Sequence, residues 1–105
     1  MHDMVKQHLP EIEALCRKHH VRRLDVFGSA ANGVLDPAHS DVDFLVEFGP
    51  GEIKAWAADF QALKSSLSDV LQRPVDLVDA PGLRNPYLKQ SVEATRVPVY
   101  AEPRA

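Results

Sequence analysis

An internal disulfide is closed to this chain, because its 105 residues include one cysteine, Cys16, and a bridge needs two. An excess of positive charge is missing too. Twelve Lys and Arg stand against fifteen Asp and Glu, a net charge of −3, so no general attraction to nucleic-acid phosphates is expected. No apolar run approaches the roughly 20 residues that span a bilayer, and no basic segment leads into an apolar one at the N-terminus. Internal repeats, low-complexity tracts and Ser/Gly linkers are absent as well. Together these absences predict a cytoplasmic protein with no membrane association and no direct nucleic-acid binding. The length predicts a single domain, 1–105, with one core. What is present is ordinary for a globular chain, 45% apolar and 26% charged residues.

Periodicity supplies the elements. Val5, Leu9, Ile12, Leu15, Cys16 and His19 recur at helical spacing over 4–20, with Pro10 suited to the first turn of the main helix. Cys16 falls on that apolar stripe and reads as a buried small hydrophobe. Residues 21–28 alternate and hold β-formers, predicting a strand that ends at Gly28. Residues 33–40 contain Gly, Asp-Pro and Ser, which mark a loop. In 42–48 the alternation puts Val42, Phe44, Val46 and Phe48 on one face, and Asp41, Asp43, Leu45 and Glu47 on the other. Gly49-Pro50-Gly51 stops that strand. A helix follows over about 52–72, with Ile53, Trp56, Phe60, Leu63, Leu67 and Val70 as its core stripe. A strand at 75–79, a short helix at 86–95 and an edge strand at 97–100, where Pro98 is tolerated, complete the order. The expected class is α/β (α+β), a small mixed β-sheet with helices packed on one face.

The chemistry concentrates between Phe27 and Phe48. Asp41 and Asp43 stand one residue apart at the start of a strand, so both reach toward one point. Carboxylates that close repel each other unless a cation lies between them or one is protonated. Hard oxygen donors suit Mg²⁺ or Mn²⁺, and Mg²⁺ fills its shell with water and substrate phosphates beside one or two carboxylates. Asp76, in Pro74-Val75-Asp76-Leu77-Val78, offers a third acid and so a two-metal site that clamps an in-line displacement. Gly28 permits close backbone approach to a phosphate, and the Ser29 hydroxyl can cradle its oxygens. Each feature alone has an ordinary explanation, since Gly-Ser is a common turn and Asp-x-Asp a common solvent face. In this order, with apolar neighbours around each acid, they read as one site. His2, His8, His19 and His20 lack metal-ligand spacing and read as structural or exposed.

Val-Phe-Gly-Ser, then Ser-Asp-Val-Asp-Phe-Leu-Val-Glu-Phe, then Arg-Pro-Val-Asp-Leu-Val and Val-Glu-Ala-Thr-Arg-Val-Pro-Val-Tyr resemble the DNA polymerase beta-like nucleotidyltransferase superfamily. Within it the chain is most similar to the minimal nucleotidyltransferases, the MNT proteins of prokaryotes, along nearly its whole length. The resemblance implies the polymerase beta-like fold and a mechanism using two Mg²⁺ ions, or Mn²⁺, with ATP as substrate. It implies that Asp41 and Asp43 hold metal on the triphosphate. Asp76 would complete the metal site and help activate the acceptor hydroxyl, and Gly28 and Ser29 would bind the triphosphate. It implies a partner also: a HEPN-domain ribonuclease toxin, which the antitoxin neutralises by adding AMP to a tyrosine.

Two departures from the family pattern bear on activity. Relatives commonly carry Gly-Ser-Arg-Ala-Arg-Gly where this chain has Gly28-Ser29-Ala30-Ala31-Asn32-Gly33, so both arginines are missing and weaker NTP contact is expected. The spacer from Ala30 to Ser40 is also slightly long. Arg22, Arg23 or His39 could compensate. The missing arginines leave a second reading open, a catalytically weak antitoxin that neutralises the toxin by binding and occlusion. A third, a small-molecule nucleotidyltransferase of the antibiotic-modifying kind, fits less well because little chain is left to enclose a second substrate. The toxin, or a second copy of the chain, is expected to build the missing wall. Segment 80–90, with Arg84, Tyr87 and Lys89, is either that contact surface or a connector packed on the core.

Overall fold

A computed structural model describes residues 3–28, 41–49, 53–79 and 86–101; the side chains of residues 3–4, 53–56, 88 and 91 lie outside that description. The elements follow the expected order: α1 (Asp3–Gln7), α2 (Leu9–Lys18), β1 (Val21–Phe27), β2 (Val42–Phe48), α3 (Ile53–Leu71), β3 (Val75–Asp79), α4 (Pro86–Thr95) and β4 (Val97–Ala101). The opening helix is divided at His8, and α2 carries its proline in the first helical turn, where the missing N–H is one the helix would leave unpaired anyway.

The strands form one mixed sheet in the order β3-β2-β1-β4. β1 is antiparallel to both β2 and β4, while β2 and β3 run parallel. A parallel pair needs a long crossover, and α3 supplies it. β4 is an edge strand, which accommodates Pro98.

Strand parity divides the sheet into two faces. Leu24, Val26, Val42, Phe44, Val46, Val75 and Leu77 point into the main core with Val5, Ile12, Cys16, Leu63, Leu67 and Leu71, so α1, α2 and α3 pack on this face as expected. A register shift between Val21 and Arg23 keeps Val21 on the same side as Leu24. On α3 the buried positions are Leu63, Leu67 and Leu71, with Val70 only half-buried; the stripe thus closes on the i+4 residue rather than the i+3. The opposite face holds a smaller cluster, Phe27, Leu45 and Val92. Through Val92, α4 therefore covers part of the second face.

The corner between α2 and β1 is braced from α3. His19 Nδ1 lies 3.5 Å from Asp59 Oδ1, and His20 Nδ1 lies 3.0 Å from Asp59 Oδ2. His20 sits at φ 63, a left-handed backbone that costs a non-glycine residue about 1 kcal/mol; the Asp59 contact and the bond from Gly49 N to His20 O at 3.1 Å hold it there. Cys16 is fully buried. Burial first, and then the charge of Glu13, push its thiol up to about 12, so it is the inert core residue its stripe position predicts. Among the described residues no helix is long and apolar enough to cross a membrane.

Candidate active site

The second face of the sheet carries the acids. Asp43 is the second residue of β2 and pairs in register with Phe27 across the antiparallel ladder and with Asp76 across the parallel one. Because Val42 and Val75 point into the core, Asp43 and Asp76 must point the other way, side by side on neighbouring strands. The start of β3 is fastened to the start of β2 by a bond from Val42 N to Pro74 O at 3.1 Å. Asp41 precedes β2 at a position of the same parity and is exposed, as is Asp76, while Asp43 is half-buried.

The electrostatics follow from that placement. Burial pushes the Asp43 carboxyl above the usual carboxylate range, and the charges of Asp76 and then Asp41 push it further the same way. Both effects disfavour the charged form of Asp43. The donor set suits a hard divalent cation, which relieves that repulsion. Among the described residues, Asp41, Asp43 and Asp76 included, no three His, Cys, Asp or Glu side chains are gathered closely enough to hold a metal ion together. Mg²⁺ takes one or two carboxylates and fills its other positions with phosphate and water, a demand that the paired Asp43 and Asp76 suit.

Gly28 ends β1 next to this edge. It adopts φ +70, a conformation glycine takes without the Cβ penalty. A Cβ at this position would lie 3.0 Å from Asp43 Oδ2, so the glycine also makes room for the carboxylate. Its N–H donates to Thr95 Oγ1 at 2.9 Å. The Gly28 amide is therefore engaged within the protein, and what Gly28 contributes is backbone shape and space. Ser29, the spacer through Ser40, His39, Trp56 (its side chain) and Arg84 lie outside the described residues. Arg22 and Arg23 are described: Arg22 Nη1 lies 3.8 Å from Glu47 Oε1, and Arg23 Nε donates to Asp25 Oδ1 at 3.2 Å.

Behind the acids lies a group that periodicity does not single out. Asp25, in the middle of β1, is fully buried. Arg96, just after α4, donates to Asp25 Oδ2 from Nε at 2.7 Å and also from Nη2. It reaches Glu93 Oε1 from Nη1 at 3.0 Å. Partial burial works against the Arg96 charge, but its bonds and charge pairing with Asp25, and then Glu93, outweigh it and hold its pKa above the ordinary value. The sequence did carry one signal for this pair: an aspartate between the apolar Leu24 and Val26 of a strand, if buried, needs a charged or hydrogen-bonding partner. Its partner, 71 residues away, had no signal of its own. Nor did Thr95.

Residues 12–99 match the family described as Nucleotidyltransferase domain. Over 93 residues the chain is 37% identical to a Methanocaldococcus jannaschii protein provisionally named a protein adenylyltransferase, covering 87% of this chain and 86% of that relative. A solved structure provisionally described as a minimal nucleotidyltransferase superposes with a TM-score of 0.75 at 32% identity, over 93% of this chain and 96% of that one. A chain of the complex between a tri-AMPylated Shewanella oneidensis HEPN toxin and its MNT antitoxin superposes with a TM-score of 0.63 over 93% of this chain and 73% of that one. Its identity is 21%, so that likeness is one of fold.

Proposed function

The chain belongs to the nucleotidyltransferase domain family, and on that premise we propose that it is an antitoxin that transfers AMP from ATP to a tyrosine hydroxyl of a HEPN ribonuclease toxin. The observation that carries the reading is the pairing of Asp43 with Asp76 on one face, beside a glycine whose missing side chain leaves space for the Asp43 carboxylate. Asp41, Asp43 and Asp76 would hold two Mg²⁺ ions, which when bound neutralise charge on the triphosphate and lower the pKa of the attacking hydroxyl.

The chain's own residues have distinct tasks. Asp41 and Asp43, at the head of β2, orient the triphosphate by sharing its counter-ions. Gly28 leaves room for the Asp43 carboxylate, and Ser29 would contact phosphate oxygens. Asp76, exposed on β3, would help take the acceptor's proton. The tyrosine oxygen then bonds to the α-phosphorus as the bond to the bridging oxygen breaks, and pyrophosphate leaves. The solved complex of an AMPylated HEPN toxin with an MNT antitoxin supports the choice of partner, and the relative named as a protein adenylyltransferase supports a protein acceptor. The absence of arginine at Ala30 and Asn32 favours a second reading, neutralisation by occlusion. The pairing of Asp43 with Asp76 on one face opposes it, because occlusion has no use for paired acids.

Intact mass of the cognate toxin after incubation with this protein, ATP and Mg²⁺ tests the proposal. One or more AMP additions are expected, and none with Asp43→Ala. No mass gain with a stable complex still formed would turn the assignment to occlusion.

A further inference from the structure

We propose that Thr95 is a positioning residue for nucleotide, setting the Gly28 turn that borders the Asp43 carboxylate; the inference builds on the nucleotide-transfer reading above. Gly28 needs its positive φ to turn the chain out of β1, and it borders the Asp43 carboxylate. Small rotations of this one residue thus change the space left for Asp43. The hydrogen bond from Gly28 N to Thr95 Oγ1 is what restrains that rotation from outside the strand.

The restraint is anchored, because Thr95 is not a freely moving surface hydroxyl. It is the last residue of α4, and the helix is seated on the sheet by fully buried Val92 against Phe27 and Leu45. Arg96 N is bonded to Val92 O at 2.8 Å. The Arg96 guanidinium then grips fully buried Asp25, three positions before Gly28 on the same strand. Two consecutive residues, 95 and 96, thereby hold β1 at two points. The ion pair determines where residue 95 lies, and the hydroxyl passes that position on to the turn. Thr95 touches no reacting atom in this scheme. Its oxygen accepts from an amide, so its effect on nucleotide is transmitted through Gly28.

The test compares Thr95→Val, close in shape but without the acceptor, with Thr95→Ser, which keeps Oγ. Each is followed by Mg·ATP titration calorimetry, by KM for ATP and kcat in AMP transfer to the toxin, and by thermal melting. Thr95→Val is expected to weaken Mg·ATP binding and raise KM about tenfold, the effect of losing one hydrogen bond's restraint. Thr95→Ser is expected to stay near the parent in both. Should Thr95→Val fail to fold, Thr95→Ala removes the same oxygen and must show the same loss. A lowered melting temperature with Mg·ATP binding and KM unchanged would mean that the hydroxyl only supports the fold, and would overturn the inference. A parent protein that binds no Mg·ATP would overturn the nucleotide reading and this inference with it. Weakened binding in Thr95→Val, with no AMP transferred by any variant, would leave the inference standing and remove only the proposed acceptor.

Discussion

At the scale of single residues, Asp43 is placed against its own charge. Its folded-state pKa lies above the ordinary 3.8, through burial and then the charges of Asp76 and Asp41. The protonated form is therefore the one folding favours. That contribution is whole below about 3.8 and is lost as pH rises through the raised value. In metal-free buffer at about pH 7, Asp43→Asn is expected to melt above the parent, with the gap narrowing as pH falls toward about 4. Adding Mg·ATP is expected to stabilise the parent and not the variant. A variant less stable than the parent at neutral pH without metal would mean that the surroundings favour the charged carboxylate. The Asp-x-Asp spacing foretold that these acids share a face. It could not foretell that Asp76 stands beside Asp43, since that depends on the register of a parallel pair formed across α3.

At the scale of elements, α3 and the sheet depend on each other. Its apolar stripe is legible in the sequence because helical periodicity survives any tertiary context. Leu67 is fully buried in the main core beneath the sheet. Leu67→Ala is expected to cost about 2–5 kcal/mol through lost burial and the cavity left behind. Chemical denaturation would read this as a lower midpoint at unchanged slope. A cost below about 1 kcal/mol would show that the stripe is not tightly packed. The short helix α4 has a different basis. Its limits at 86–95 were predictable from Asn85-Pro86 and the proline of the following strand. Its seat on the second face was not, because Val92 is a lone apolar contact whose partners, Phe27 and Leu45, lie far away in sequence. Tyr87 is 83% exposed at the start of this helix, which removes the expectation that it packs on the core.

At the scale of the whole molecule, the proposed antitoxin role turns on whether neutralisation would need chemistry or only contact. Asp41 is exposed and outside the core, so its removal should leave the fold unchanged. Asp41→Ala is expected to form the toxin complex with unaltered affinity and to lose nearly all AMP transfer and with it neutralisation. Growth rescue by Asp41→Ala equal to the parent's would assign the protection to binding. What the sequence determined by itself was local: which segments are helix or strand, and which strand residues share a face. Those properties follow from periods of two and 3.6 and from short-range spacing. Only the tertiary structure decided that Asp43 pairs with Asp76, that Thr95 takes the Gly28 amide and that Arg96 neutralises Asp25. Each of these joins residues distant along the chain, and such contacts come from sheet order and register, which no local pattern encodes.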